Sequence, residues 1–279
     1  MMTKPQKLGP RTLLGFGLGL RRELMQPILT QLPRLDWLEI LTDCYLQAEH
    51  LQLAELIALR AHYPLVMHGG TLSIGGPDPL DNIYLDKLQS LVKYLQPVMV
   101  SDHLCWTPPG GSHSYDLRPL PRNQEMIEHL KSRINRVQEC LGQRILLENI
   151  SDSSIHEDNQ MPEWQFLGEV AEASDSLILL DLNNILSNSI WAGFDPIEYI
   201  RELPAERIWQ IHLAPRVQRS EYDWDADSSA TEDPIWHLYR EVIRHCGPVA
   251  TMLERNDDIP PLEILLQELD LAKRIVEQI

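Results

Sequence analysis

The chain has 279 residues and a formal net charge of −17, from 24 Lys and Arg against 41 Asp and Glu. Phosphate backbones are neutralised by clustered cations, so this balance argues against nucleic acid as a partner. Hydrophobic residues make up 43%, enough to fill one core, while no apolar run reaches the length that spans a bilayer, which argues against a membrane partner.

Residues 1–11 are polar, with lysines and prolines and no apolar stretch before a cleavage site, so they are expected to be a flexible N-terminal arm and not a signal peptide. From residue 12 to 279 the pattern is one alternation. Short, nearly continuous apolar runs at 13–18, 37–41, 65–68, 98–102, 144–148, 177–182, 207–212 and 249–253 predict eight strands. Between them apolar residues return every three or four positions, as at Leu53, Leu56 and Ile57 or Leu85, Leu88, Leu91 and Leu95, which predicts helices. Nearly continuous apolar strands alternating with amphipathic helices predict a parallel sheet covered on its outer face, and eight such units predict an α/β fold of the (β/α)8 TIM-barrel type, as a single domain. The four cysteines, Cys44, Cys105, Cys140 and Cys246, form no Cys-x-x-Cys pair. Neither a thiolate zinc site nor a disulfide framework is indicated, and a reducing cytoplasm is the expected location.

Six of the predicted strands end in a side chain able to bind metal: His68, His103, Glu148, Asp181, His212 and Glu254. Strand ends in a barrel converge on one face, so these three imidazoles and three carboxylates are expected to meet in one pocket. Nitrogen and carboxylate donors without thiolate suit iron, manganese or zinc, and carboxylates can bridge two ions. Glu148 and Asp181 end strongly apolar runs, where an uncompensated carboxylate costs several kcal/mol. Ser101 or Asp102 is placed to orient an imidazole, and Asn149, Asn183 and Asn184 are placed to orient carboxylates or supply a neutral ligand. The seven other histidines fall on predicted helices and loops. Between the last two strands, residues 221–233 carry six acids in thirteen positions, a solvated loop or a lid on the active face. Trp209, Trp224 and Trp236 are either packing or the wall of a substrate groove.

From Gly15 to Pro261 the chain resembles the multinuclear non-haem iron-dependent oxidases, the family that includes the methanobactin biosynthesis oxidase. The resemblance is carried by Gly15-Phe16-Gly17-Leu18-Gly19-Leu20-Arg21, Asp36-Trp37-Leu38-Glu39, His68-Gly69-Gly70-Thr71-Leu72-Ser73-Ile74-Gly75 and Val100-Ser101-Asp102-His103-Leu104-Cys105-Trp106. It continues through Leu146-Leu147-Glu148-Asn149, Leu180-Asp181-Leu182-Asn183-Asn184, Ile211-His212-Leu213-Ala214 and Leu253-Glu254. It implies a barrel that holds two or three iron ions and uses dioxygen to modify cysteines of a ribosomally synthesised precursor peptide, often presented by a separate recognition protein. The six strand-end residues align with the family's metal-binding positions.

The chain departs from that pattern in places. Where the family has His-Leu-Ala-Gly-His it has His212-Leu213-Ala214-Pro215-Arg216, and a guanidinium cannot bind a metal. The family's Asp-x-His becomes Asp225-Ala226-Asp227, Glu-Asn-Tyr becomes Asp43-Cys44-Tyr45, and Asn256 replaces a common acid. Arg216 is expected to pair with Asp225 or Asp227, or to clamp a substrate carboxylate. The resemblance thus implies a di-iron centre of mixed Fe2+ and Fe3+ on six ligands, with a third ion if Asn184, Asp225 or Asp227 compensates. Two other readings compete with it. One is a metal-dependent sugar isomerase or endonuclease on a similar barrel, and the other a non-catalytic homologue that has lost part of its metal site.

Overall fold

The computed structural model describes residues 8–47, 50–108, 116–151, 156–215 and 233–279. Eight strands follow one another around a closed parallel barrel: β1 (Phe16–Gly19), β2 (Trp37–Leu41), β3 (Leu65–Gly69), β4 (Met99–His103), β5 (Leu146–Glu148), β6 (Leu177–Asp181), β7 (Ile208–Leu213) and β8 (Ala250–Leu253). β8 pairs with β1 to close the ring. Nine helices cover the outside among the described residues: α1 (Arg22–Gln31), α2 (His50–Arg60), α3 (Asn82–Leu95), α4 (Gln124–Leu141), α5 (Glu163–Ser174), α6 (Leu182–Ala192), α7 (Pro196–Glu202), α8 (Pro234–Cys246) and α9 (Leu262–Glu277). None is long and apolar enough to cross a membrane.

The strands differ from the expected runs at their margins, for identifiable reasons. β1 begins at Phe16 because Gly15 turns the chain at φ +76° and Asp36 takes the Phe16 amide at 2.7 Å, leaving Leu13 exposed. β5 begins at Leu146 because Arg144 is drawn off to the Asp175 carboxylate at 2.7 Å. β4 runs through His103, so that histidine stands on the strand itself. Two helices, α6 and α7, fill the connection between β6 and β7.

Side chains on a strand alternate between faces, so every second residue of these strands enters the barrel. The lower interior is filled by Trp37, Val66, Met99, Leu146, Leu177, Leu179, Ala250 and Met252. Gly17 makes room there, since a Cβ at that position would lie 2.5 Å from the Trp37 ring. Leu8 and Leu14 pack beneath this layer, and Arg11 donates to the carbonyls of Ala205, Cys246 and Pro248. Outward-facing strand residues such as Leu38, Met67, Leu147, Leu180 and Ile211 join the helices in a second, larger core. Trp236 lies in that core, while Trp209 packs against the lower interior and donates to the Glu206 carbonyl, so both are packing residues. Trp224 lies outside the described residues.

Candidate metal centre

A step up each strand but β1 converts the apolar layer into a polar one: Trp37 to Glu39, Val66 to His68, Met99 to Ser101 and then His103, Leu146 to Glu148, Leu179 to Asp181, and Met252 to Glu254, with Gln210 and His212 on β7. The six strand-end residues meet here in two groups, His68 with His103 and Glu148, and Glu148 with Asp181, His212 and Glu254. Within each group one donor atom per residue lies within 4.8 Å of every other. Glu148 belongs to both. Its Oε2 is 3.1 Å from Nε2 of His68 and 3.1 Å from Nε2 of His103, while its Oε1 is 3.2 Å from Nδ1 of His212. His212 Nδ1 is also 3.6 Å from Glu254 Oε2.

The residues behind these groups fix which atoms point inward. His103 Nδ1 donates to the Gly69 carbonyl at 3.2 Å, and His68 Nδ1 lies 2.9 Å from Ser101 Oγ, whose own proton is directed at the Met67 carbonyl. Assigned from this network, both rings turn an Nε2 lone pair toward Glu148. Asp102, by contrast, accepts the His103 backbone amide and points away from the centre. Asn149 brackets the Asp181 backbone, accepting its N–H at 2.8 Å and donating to its carbonyl at 2.9 Å. Asp181 in turn caps α6 through the Asn184 amide. The side chain of Asn184 is directed at the Asn149 carbonyl, and that of Asn183 at Ala214, just past the end of β7. Asn184 thus uses its amide nitrogen on the backbone of the residue that follows Glu148. Arg216, Asp225 and Asp227 lie outside the described residues.

Three residues of this layer escaped the sequence reading. Glu39, only 1% exposed, sits behind His212 with its carboxylate 3.2 Å from Nε2, and Gln210 donates its amide to the same carboxylate. Arg21 leaves the start of α1 to bind Glu254 at 3.1 Å and Asn256 at 2.8 Å. The signal for Glu39 was a lone acid inside the apolar run Trp37-Leu38-Glu39-Ile40-Leu41, two residues above a barrel-filling Trp.

The electrostatics are those of a site that wants a cation. Burial lowers the pKa of His68 and brings that of His103 down to about 4, so both rings are neutral near pH 7. Burial, with the nearby charges of Glu148 and Glu254, pushes Asp181 up to about 8. Burial also opposes charge on His212, but Glu39, Glu148 and Glu254 overcome it and hold that ring protonated; His212 likewise holds Glu254 well below the usual carboxylate range against the cost of burial. Glu148 Oε2 has no hydrogen-bond donor although two imidazole nitrogens face it. Lone pairs facing each other across about 3 Å in a buried site repel unless a cation lies between them. The donor set, all nitrogen and oxygen, fits iron, manganese or zinc.

The centre is not sealed. His103 and Glu254 remain 17% and 13% exposed, against 3% or less for His68, Glu148 and His212, so the open side lies over those two. Three residues beyond His103, Trp106 stacks under the Arg118 guanidinium, 5.2 Å from the ring centre. It walls two cavities of about 620 and 540 Å³, the first lined also by Leu120, Met126 and His129 and the second by Thr71, Tyr84 and Arg133.

A family profile described as RiPP precursor modification enzyme MbnB/TglH/ChrH matches residues 15–277. A UPF0276 protein of Anaeromyxobacter sp. is 42% identical over 265 residues, covering 95% of this chain and 94% of that protein. One of Acaryochloris marina is 40% identical over 258 residues, covering 92% and 93%. Among solved structures, D-psicose 3-epimerase from Clostridium cellulolyticum is similar with a TM-score of 0.63 at 12% identity, covering 95% of this chain and 98% of that one. Endonuclease IV from Thermus thermophilus follows at 0.59 and 17%, covering 97% and 100%. At such identities the likeness is one of fold.

Proposed function

Because the chain belongs to the RiPP precursor modification enzyme family MbnB/TglH/ChrH, we propose that it is an iron- and O2-dependent oxidase acting on cysteine residues of a ribosomally synthesised peptide. The observation that carries the metal part is Glu148, one carboxylate shared by two groups of buried donors, whose Oε2 faces the neutral nitrogens of His68 and His103 with no proton between them. His68, His103 and Glu148 would hold one ion, and Glu148, Asp181, His212 and Glu254 a second. A third would need donors from Asp225, Asp227 or Asn184. Iron bound there supplies Lewis acidity toward a thiol and the redox capacity to reduce dioxygen.

The chain's own residues do the rest. Arg21 holds Glu254 in place and offsets part of its charge. Neutral His68 and His103 present nitrogen and do not compete as acids. The open side over His103 and Glu254 admits the cysteine, and the cavities flanking Trp106 offer room for neighbouring side chains of the peptide. Arg216, three positions after Leu213 in the sequence, would bind a peptide carboxylate. A separate recognition protein would deliver the peptide. Four free cysteines fit a reducing compartment, and the cytoplasm is the proposed location.

The test is to incubate iron-loaded protein with its precursor peptide and recognition partner, with and without oxygen, and to measure peptide mass. An oxygen-dependent mass change on cysteine is expected. Its absence, combined with oxygen-independent sugar turnover by zinc- or manganese-loaded protein, would instead favour the isomerase-like reading suggested by the shared fold.

A further inference from the structure

The three imidazoles of the centre are not held alike. His68 and His103 face inward through Nε2, and their Nδ1 atoms rest on neutral oxygens, Ser101 Oγ and the Gly69 carbonyl. His212 is reversed: Nδ1 faces Glu148 and Glu254, while Nε2 lies 3.2 Å from the Glu39 carboxylate and 2.9 Å from the Gln210 amide nitrogen, which itself donates to that carboxylate. Glu39 lies on the far side of that ring, outside both donor groups, and cannot itself reach an ion bound at Nδ1. Its orientation is fixed by the Gln210 amide, and Gln210 stands on the same strand as His212.

We propose that Glu39 is a positioning residue: its carboxylate accepts the Nε2 proton of His212, fixes Nδ1 as the metal-binding atom, and makes the four-donor half of the centre the tighter half. An imidazole backed by a carboxylate is a stronger donor than one backed by a hydroxyl or a carbonyl, and removal of such a partner weakens metal binding by roughly 10- to 100-fold. The placement also accounts for a buried acid in the middle of an apolar strand, which packing alone would not retain. This rests on the metal-centre part of the proposed function and not on the peptide chemistry.

The experiment is a titration of the metal-free full-length chain with Co(II), read by visible absorption in competition with a chelator. Wild-type protein is expected to take up two equivalents. Glu39→Gln keeps the volume but offers an amide that can donate to Nε2 and so favours the opposite tautomer. It is expected to weaken one equivalent by roughly 10- to 100-fold and to leave the other unchanged, whereas Ser101→Ala should affect the other equivalent and by less. Wild-type affinity at both halves in Glu39→Gln overturns the proposal. A second measurement needs no variant: in 15N-histidine spectra of the Zn(II)-loaded wild-type chain, one metal-bound ring should carry its proton on Nε2 and two on Nδ1. Three rings protonated alike would overturn the proposal even if Glu39→Gln failed to fold. Neither readout uses iron, oxygen or peptide, so failure of cysteine oxidation and failure of this inference are separable.

Discussion

At the scale of single residues, the proposed centre turns on Glu148. It is 2% exposed, touches imidazole nitrogens from three strands and has an oxygen that no hydrogen bond satisfies. Glu148→Gln keeps the shape, removes the charge and turns N–H groups toward atoms that need a cation. Metal content measured by elemental mass spectrometry is expected to fall from two ions per chain to fewer than one. The metal-free variant should melt lower than the metal-free wild type, because the change removes the carboxylate that faces the protonated His212 ring at 3.2 Å. His68→Ala, by contrast, should cost only the ion of its own half. A Glu148→Gln protein that still holds two ions would remove the shared-carboxylate reading.

At the scale of elements, Asp181 joins two roles at one junction. It ends β6 as a candidate ligand and caps α6 by accepting the Asn184 amide at 2.8 Å. Asn caps about as well as Asp, while Ala does not and costs about 1 kcal/mol. Asp181→Asn should therefore lose metal without loss of metal-free stability, and Asp181→Ala should lose both; equal melting temperatures for the two variants would contradict the cap. The same junction shows what the sequence makes legible. The apolar runs located all eight strands because parallel strands buried on both faces leave a continuous signal, and topology then brings strand ends together. Glu39 and Gln210 were harder to find, because they sit one layer below the rim, where only the two-residue alternation inside a strand reveals an inward side chain. Arg21 reaches Glu254 across 233 positions, a contact that no local pattern encodes. Gly17 illustrates a further limit, since its close approach to Trp37 depends on β1 lying beside β2. Gly17→Ala should destabilise the barrel by about 1–3 kcal/mol through overpacking, measured as a lower denaturation midpoint at unchanged metal stoichiometry.

At the scale of the whole molecule, the barrel closes a ring of strands around more carboxylates than its own cations neutralise, and in the metal-free state protons take the cation's place. Asp181 has a folded pKa of about 8 against roughly 3.9 when unfolded, so the metal-free fold binds a proton that the unfolded chain does not hold anywhere between those values. Its contribution is present at low pH and is lost as the pH rises toward 8. His212, raised above the ordinary histidine value near 6.5, acts in the same sense above that pH. His68 and His103, both lowered, act in the opposite sense, but only below it. Between pH 6.5 and 8 the metal-free protein should therefore lose stability as pH rises, by up to about 1.4 kcal/mol per pH unit for each proton released. A bound cation reverses the sign: it needs Asp181 and the Nδ1 atom of His212 deprotonated, so its affinity rises across the same window, and with it the stability that binding adds. Thermal melts of metal-free and Zn(II)-loaded protein at half-unit steps from pH 6.5 to 8 should show a falling series without metal and a gap that widens with metal. A constant gap would mean that binding displaces no protons, and that Asp181 and His212 do not hold the ion.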